Sequence, residues 1–398
     1  MDFAFSEEEE SFRHSVREFC EERIAPRARE IEEKGEIPRE IIKDMGGIGL
    51  LGLTVSKRFG GSGASFMKAA IAAEEIARAD MSMAVAVYYL VEAGWGFLLE
   101  RYGTERAKAE VLEDVIRGKT FLGIASTEAT GGSDISSTST TMTRKEGRLV
   151  VNGAKTYISG VREAAEYGGG FVTIVKTDPT LGHKGLSLCY LPVDEKGGVT
   201  INVSRQMGRE GISNGFLKIH NAEIQEHYLI GEWNRGFYYA MEGFNCARTL
   251  VAAACIGAAE KALELGVEHM KKRKVFGTPI GKFEGIQFSL AEGYTKLESA
   301  RLLVYKAAWI LDRFYREHRF TMSEINRAVA AAKLVAPPAA FDIIKEVMIW
   351  HGAYGYTREA GLEKGLRGVT SYIVGAEGTM NIMKVIISKE ILEKEFSP

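Results

Sequence analysis

Four short segments of this chain carry residue types that chemistry needs. Near the C-terminus, Ala376-Glu377-Gly378-Thr379-Met380-Asn381 places a carboxylate on a loop just before a helix, with Thr379 as the expected N-cap. A glutamate held there is a candidate base for a weakly acidic proton, although most glutamates in such places are simply solvated. The segment Ile124-Ala125-Ser126-Thr127-Glu128-Ala129-Thr130-Gly131-Gly132-Ser133-Asp134 leaves a predicted strand with hydroxyls, two glycines and a run of backbone N–H groups. Glycines let a backbone approach a ligand closely, and consecutive N–H groups suit a phosphate or a flavin edge. Taken alone, the segment fits a polar surface loop equally well.

In Asn152-Gly153-Ala154-Lys155-Thr156-Tyr157-Ile158-Ser159-Gly160, Tyr157 and Ser159 stand two apart and so share a face of a strand. They can offer a ring and a hydrogen bond to an isoalloxazine, though an ordinary hairpin also accounts for them. The fourth segment is Lys271-Lys272-Arg273-Lys274-Val275-Phe276-Gly277-Thr278-Pro279-Ile280. It reads either as a solvated helix end and turn, or as Arg273 reaching a diphosphate with Phe276 packed on a cofactor.

Other chemistries lack their residues. Gly61-Ser62-Gly63 has no third glycine for a dinucleotide fingerprint and falls between helical patterns, no GxxxxGK[ST] occurs, and no GxSxG nucleophile elbow is read, since Gly211-Ile212-Ser213-Asn214-Gly215 leads into a β-rich run and not a helix. Cys20, Cys189, Cys246 and Cys255 are scattered without CxxC spacing, and the seven histidines form no HExxH. Buried reduced thiols are expected, and a metal mechanism is not. A net charge of −2 supplies no basic field for nucleic acid and no attraction to a membrane surface. The acidic start MDFAFSEEEE is unlike a secretory signal, and apolar runs such as Met83 to Leu90 are too short to span a bilayer. A cytoplasmic protein is expected.

The elements that must position these segments follow from periodicity. At 398 residues, 45% hydrophobic and 26% charged, the chain suits two or three folded domains. Residues 1–119 read as helical: Phe12, Val16, Phe19, Cys20 and Ile24 recur at helical spacing, and further helices are predicted over 38–49, 67–79 and 85–102. Residues 120–235 change to short runs rich in β-branched and aromatic residues, such as Phe171 to Val175 and Leu186 to Leu191. Asn152-Gly153 signals a type I′ hairpin turn there. Residues 236–398 return to helices, predicted over 236–271, 282–317, 322–350 and 379–395, as a bundle. The fold class is therefore α+β: an N-terminal helical domain, a middle β-barrel or sandwich, and a C-terminal helical bundle.

The order of these pieces resembles the acyl-CoA dehydrogenase family along about residues 1–395. That resemblance implies FAD bound between subunits of a homotetramer, an acyl-CoA thioester stacked beside the flavin, and an electron-transfer flavoprotein as transient partner. By position, Ser126, Thr127, Gly132 and Ser133 resemble the first flavin loop, with Ser133 also toward substrate. Tyr157 and Ser159 resemble the second flavin contact, where the family more often has tryptophan for Tyr157. Arg273 and Phe276 are similar to the RxxFG motif that reaches the FAD of a neighbouring subunit. Thr379 and Asn381 match the cofactor contacts after the base. Arg248 resembles the arginine that props the active-site loop, with Gly378 beside the substrate. Glu377 matches the catalytic glutamate; Ala247 occupies the alternative position of the base and cannot serve. Ala129, Glu284, Ile349, Ala353 and Gly375-Ala376 depart from the family pattern.

The implied reaction is α,β-dehydrogenation to a 2-enoyl-CoA. Glu377 takes the α-proton, flavin N5 accepts hydride from the β-carbon, and the Glu377 N–H with a ribityl hydroxyl polarises the thioester oxygen. Arg78 to Arg101 resembles the acyl-pocket wall and contains no Lys or Arg between its ends, which disfavours a dicarboxylyl substrate. Tyr88, Tyr89 and Trp95 either shorten the pocket toward short, branched or cyclic monocarboxylic acyl groups or are plain helix core. Glu92, a second carboxylate in this stretch, could serve a cyclic or unusual substrate but reads better as a surface helix glutamate. An enoyl-CoA reductase, an acyl-CoA oxidase, and a non-catalytic assembly protein that keeps the fold are the alternatives.

Overall fold

Several helix starts are written into the chain by their caps. In the computed structural model, which describes residues 4–63 and 65–392, Ser6 and Glu9 form a reciprocal capping box at the head of α1 (Glu7–Arg23). The next helices are α2 (Ala28–Lys34), α3 (Arg39–Gly47), α4 (Phe66–Ala79), α5 (Ala84–Tyr102) and α6 (Glu105–Ile116). Ser65 and Thr104 cap α4 and α6 through the N–H groups of Lys68 and Ala107. The apolar stripe foreseen on α1 is real: Val16, Cys20 and Ile24 are buried, with Phe12 and Phe19 packed beside them.

The strands come next: β1 (Phe121–Ala125), β2 (Thr141–Lys145), β3 (Arg148–Ser159), β4 (Gly169–Lys176), β5 (Leu186–Pro192), β6 (Val199–Ser204), β7 (Asn214–Gln225) and β8 (Leu229–Ile230), with the short helix α7 (Val161–Tyr167) between β3 and β4. They form one sheet in the order β6-β7-β3-β2-β4-β5-β8, with β1 beside β4. Only Thr141 and Lys176 pair across β2 and β4, so the sheet is nearly divided in two. β3 and β7 mostly alternate buried and exposed residues, whereas β4 and β5 are buried almost throughout. Continuous burial of that kind requires cover on both faces, and one cover is the helix that follows.

The last third is helical. It consists of α8 (Gly236–Lys272), the small hairpin β9 (Lys274–Val275) and β10 (Thr278–Pro279), then α9 (Glu284–Glu317), α10 (Met322–Trp350), α11 (Leu362–Val374) and α12 (Met380–Leu392). α8 crosses α4 so closely that a Cβ at Gly257 would stand 2.0 Å from the Glu74 carbonyl oxygen. α10 keeps Pro337 and Pro338 inside it. Each costs about 3 kcal/mol of helix propensity, and each leaves the carbonyl four residues back, at Lys333 and Leu334, without its helical donor.

Two expectations need correction. Asn152-Gly153 is not the hairpin turn: β3 runs through it, with a register shift at Val151/Gly153 and Gly153 at φ 150°. The β2–β3 turn is made by Glu146 and Gly147, both at positive φ (49° and 75°), as a type I′ turn requires. α11 was not foreseen, because Gly365 and Gly368 interrupt its pattern. The helix predicted over 379–395 is seen to Leu392, and its remainder lies outside the described residues. The four thiols are free and buried. Among the described residues, no helix is long and apolar enough to cross a membrane, and no metal-binding cluster occurs.

Candidate active site

A cavity of about 770 Å³ opens where the sheet meets the C-terminal helices. The loop after β1 brings Ser126, Thr127, Gly132 and Ser133 to it, and the end of β3 brings Tyr157 and Ser159. Arg248 of α8 and Glu377, Gly378 and Thr379 of the α11–α12 loop complete the meeting. Ten residues singled out in the sequence therefore share one cavity. Arg273, Phe276 and Asn381 do not line it. Arg273 sits past the end of α8, roughly 25 residues and about 37 Å from Arg248 along the axis, too far to reach this cavity. Phe276 is 94% exposed.

Glu377 is held by its backbone. It adopts φ 56°, and Gly378 follows at φ 100°. The Gly378 N–H donates to the Gly375 carbonyl at 2.9 Å, and Thr379 caps α12 by accepting from the Ile382 N–H at 3.3 Å. Two cations fix the loop from below. Arg248 Nε donates to the Glu377 carbonyl at 2.8 Å, and Lys333 Nζ donates to the carbonyls of Tyr372 and Gly378, both at 2.6 Å. The Glu377 N–H makes no hydrogen bond among the described residues. Its Oε2 is shielded and unpartnered.

The electrostatics follow from that enclosure. Burial raises the Glu377 carboxyl to about 7, against the pull of Arg248, Lys333 and Arg209. Burial also lowers Lys333 to about 8 and Arg248 to about 10. A carboxylate balanced near neutrality, on a fixed loop in a cavity wall, has the properties of a general base.

The opposite wall is fixed by a second buried charge. Lys155 of β3 is fully buried and donates to Glu128 Oε1 at 2.9 Å and to the Ser126 carbonyl at 3.2 Å. Glu128 in turn accepts from the N–H groups of Ser139 at 2.7 Å and Thr140 at 2.9 Å. Burial works against the Glu128 carboxylate, yet Lys155 and these hydrogen bonds hold it near 2. Burial draws Lys155 down to about 8 against the attraction of Glu128, so the pair is ionised at neutral pH. The Thr156 N–H also donates to the Thr127 carbonyl at 2.9 Å, stapling the loop to β3. Tyr157 stands in a bulge at φ 59°, 69% exposed, with its ring 6.2 Å from that of Phe216. A flat aromatic wall beside hydroxyls and glycine backbone suits a flavin ring and its hydrogen-bonding edges.

Lys155, Glu128, Lys333 and Arg209 were not singled out as site residues. Lys333 did leave a signal: it is the lone charge in the apolar run from Ala328 to Ala336. The reading of Glu92 is corrected. It is 1% exposed, faces β1 rather than solvent, and burial pushes its carboxyl well above the ordinary range. Tyr88, Tyr89 and Trp95 are fully buried and do not line the cavity, although Trp95 packs edge-on against Phe244, which does.

Comparison with known proteins gives a consistent result. Residues 6–119, 123–222 and 234–392 match the family models described as the N-terminal, middle and C-terminal domains of acyl-CoA dehydrogenase. A 3-(aryl)acrylate reductase of Clostridium sporogenes is 33% identical over 98% of this chain and 100% of its own length. An acyl-CoA dehydrogenase of Bacillus subtilis is also 33% identical, over 97% of this chain and 98% of its own. A solved structure described as an electron transferring flavoprotein of Acidaminococcus fermentans superposes with a TM-score of 0.92 at 28% identity, covering 99% of this chain and 100% of that one.

Proposed function

This chain belongs to the acyl-CoA dehydrogenase family of flavin-dependent oxidoreductases, and from that premise we propose that it dehydrogenates an acyl-CoA thioester between its α- and β-carbons. The observation that carries this reading is Glu377: a carboxylate near neutrality, clamped by Arg248 and Lys333, opposite a loop and strand shaped for a flat ring.

The cofactor proposed is FAD, which when bound supplies the hydride acceptor for the β-carbon. Ser126, Thr127, Gly132, Ser133, Tyr157, Ser159 and Thr379 would hold it from within this subunit. Asn381, two residues beyond Thr379 on α12, would contact it from outside the cavity described above, and Arg273 and Phe276 would do so only across a subunit boundary, as in a homotetramer with FAD at its interfaces. Glu377 takes the α-proton on its carboxylate. The unpartnered Glu377 N–H donates to the thioester oxygen, where negative charge develops, a contact worth about 3 kcal/mol in a dry site. Arg248 and Lys333 hold the loop so that neither donor nor base has to reorganise. Phe244, backed by Trp95, and Val91 line the wall, which favours short, branched or cyclic acyl groups. The acceptor proposed is an electron-transfer flavoprotein. The same groups serve enoyl-CoA reduction, and the reductase relative at 33% identity keeps that direction as the second reading.

Anaerobic titration of the purified protein with short, branched and cyclic acyl-CoAs tests the proposal. The expected result is loss of the flavin absorbance band with at least one of them. A yellow protein that none bleaches, but whose reduced form 2-enoyl-CoAs reoxidise, selects the reductase. A colourless protein that cannot be reconstituted with FAD overturns both.

A further inference from the structure

The buried groups at the cavity carry more positive charge than their carboxylate balances, with Arg209 and Arg248 in its lining and Lys333 behind the Glu377 loop. Arg209, Arg248 and Lys333 are 7%, 5% and 0% exposed, and Glu377 is the carboxylate that acts on all three. Three cations against one ionised carboxylate leave a surplus of two. Lys333 meets two carbonyls, and Arg248 meets the Glu377 carbonyl and the Phe244 ring. Arg209 is different. Its guanidinium donates one hydrogen bond, Nη2 to Gln206 Oε1 at 3.1 Å, and has no ion pair among the described residues. Its Nε is buried with no close hydrogen bond; the Tyr372 hydroxyl beside it interacts with the guanidinium but also makes no close hydrogen bond and brings no negative charge. Arg78, buried to a similar degree, pairs with Glu21 and Glu264.

The backbone places Arg209 there at a cost. It lies on the β6–β7 loop at φ 64°, a left-handed conformation that is unfavourable for a non-glycine residue. The loop has no freedom to relax: a Cβ on Gly208 would strike Arg367, and one on Gly211 would strike Ile31 and Ala84. Tyr157 and Glu377 are two further residues held at positive φ around the same cavity.

We propose that Arg209 binds a carboxylate carried by the acyl group, so that the substrate is an acyl-CoA with a second acidic group a few bonds from the thioester. A desolvated guanidinium is stabilised by an anion that offers it two oxygens, and a carboxylate does so in the plane of the fork. The proposal rests on the acyl-CoA reading of this cavity. It reverses the expectation drawn from α5, because the missing cation comes from the β6–β7 loop instead. The competing acceptors are the thioester oxygen and the CoA phosphates, which acids and amides share, and the FAD diphosphate, which the holoenzyme holds in every measurement.

The test compares malonyl-, succinyl- and glutaryl-CoA with their uncharged terminal amides, by anaerobic perturbation of the flavin band in the holoenzyme. At least one carboxylated thioester should bind about tenfold or more tighter than its amide, the effect of one charge-assisted hydrogen bond or better. In Arg209→Gln that ratio should fall to within about twofold of one, and Arg209→Lys, which keeps the charge but not the fork, should retain only part of it. Amides that bind as tightly as acids to the unaltered enzyme overturn the proposal, whatever the variants do. Equal weakening of acids and amides in Arg209→Gln also overturns it, by assigning Arg209 to the thioester oxygen. If neither kind of thioester binds, this proposal falls, and the acyl-CoA reading is decided separately by the titration with short, branched and cyclic acyl-CoAs.

Discussion

A base that removes a thioester α-proton must be ionised often enough to act and shielded enough to be strong. Glu377 meets both demands with a carboxyl at about 7. The sign of the pH dependence follows: kcat/KM should rise about tenfold per pH unit below 7 and level off above it, measured on the holoenzyme with a saturable acyl-CoA. Because this folded-state value lies above the ordinary one, the same carboxylate lowers stability as pH rises from about 4.5 through 7. Glu377→Gln should keep the fold and flavin and lose about 10²–10⁴-fold or more in turnover, with the rising limb of the profile abolished. Unchanged turnover would remove Glu377 from the reaction. At this scale the sequence was informative where a residue's neighbours along the chain reveal its role, as for Glu377 before the Thr379 cap. It was uninformative for Lys333 and Arg209, whose partners are carbonyls and cavities contributed by distant segments. Glu92 was misread for the same reason: β1, which covers it, is remote in sequence from α5.

The loop after β1 carries several cavity-facing groups, yet it has little regular structure of its own. Its shape comes from β3 through the buried Lys155–Glu128 pair and the Thr156–Thr127 backbone bond. Removing one member of a buried pair strands the other charge. Lys155→Met should therefore destabilise the protein by about 3–5 kcal/mol in denaturant unfolding and reduce bound flavin. Adding Glu128→Gln should recover part of the stability, because no lone charge then remains. A single variant as stable as the parent would contradict the clamp. Periodicity and composition predicted most of the helices and the β character of 120–235, because long amphipathic helices and β-branched runs are local properties. The bulges of β3 were not legible: Asn152-Gly153 has the chemistry of a turn, and pairing with β7 turned it into an in-strand irregularity.

For the whole molecule, the proposed homotetramer would cover apolar groups that one chain leaves exposed. Phe276 at 94% and Tyr356 at 86% exposed, with Phe288, Tyr294 and Leu302 along α9, are more than a single soluble surface requires. If Arg273 and Phe276 complete a neighbouring subunit's flavin site, two inactive variants should rescue each other. Glu377→Gln co-expressed with Arg273→Ser should regain activity that neither has alone, since one variant supplies the base and the other the arginine. Absence of rescue in oligomers shown to contain both chains would place Arg273 outside the flavin site. The left-handed turn at Glu377 has a different implication, for how such a protein evolves. A glycine at that position would relax the backbone, stabilising the fold by about 1 kcal/mol while deleting the base. Selection for heat resistance alone would therefore favour its loss, and a glutamate that persists there in a lineage records continued demand for the reaction.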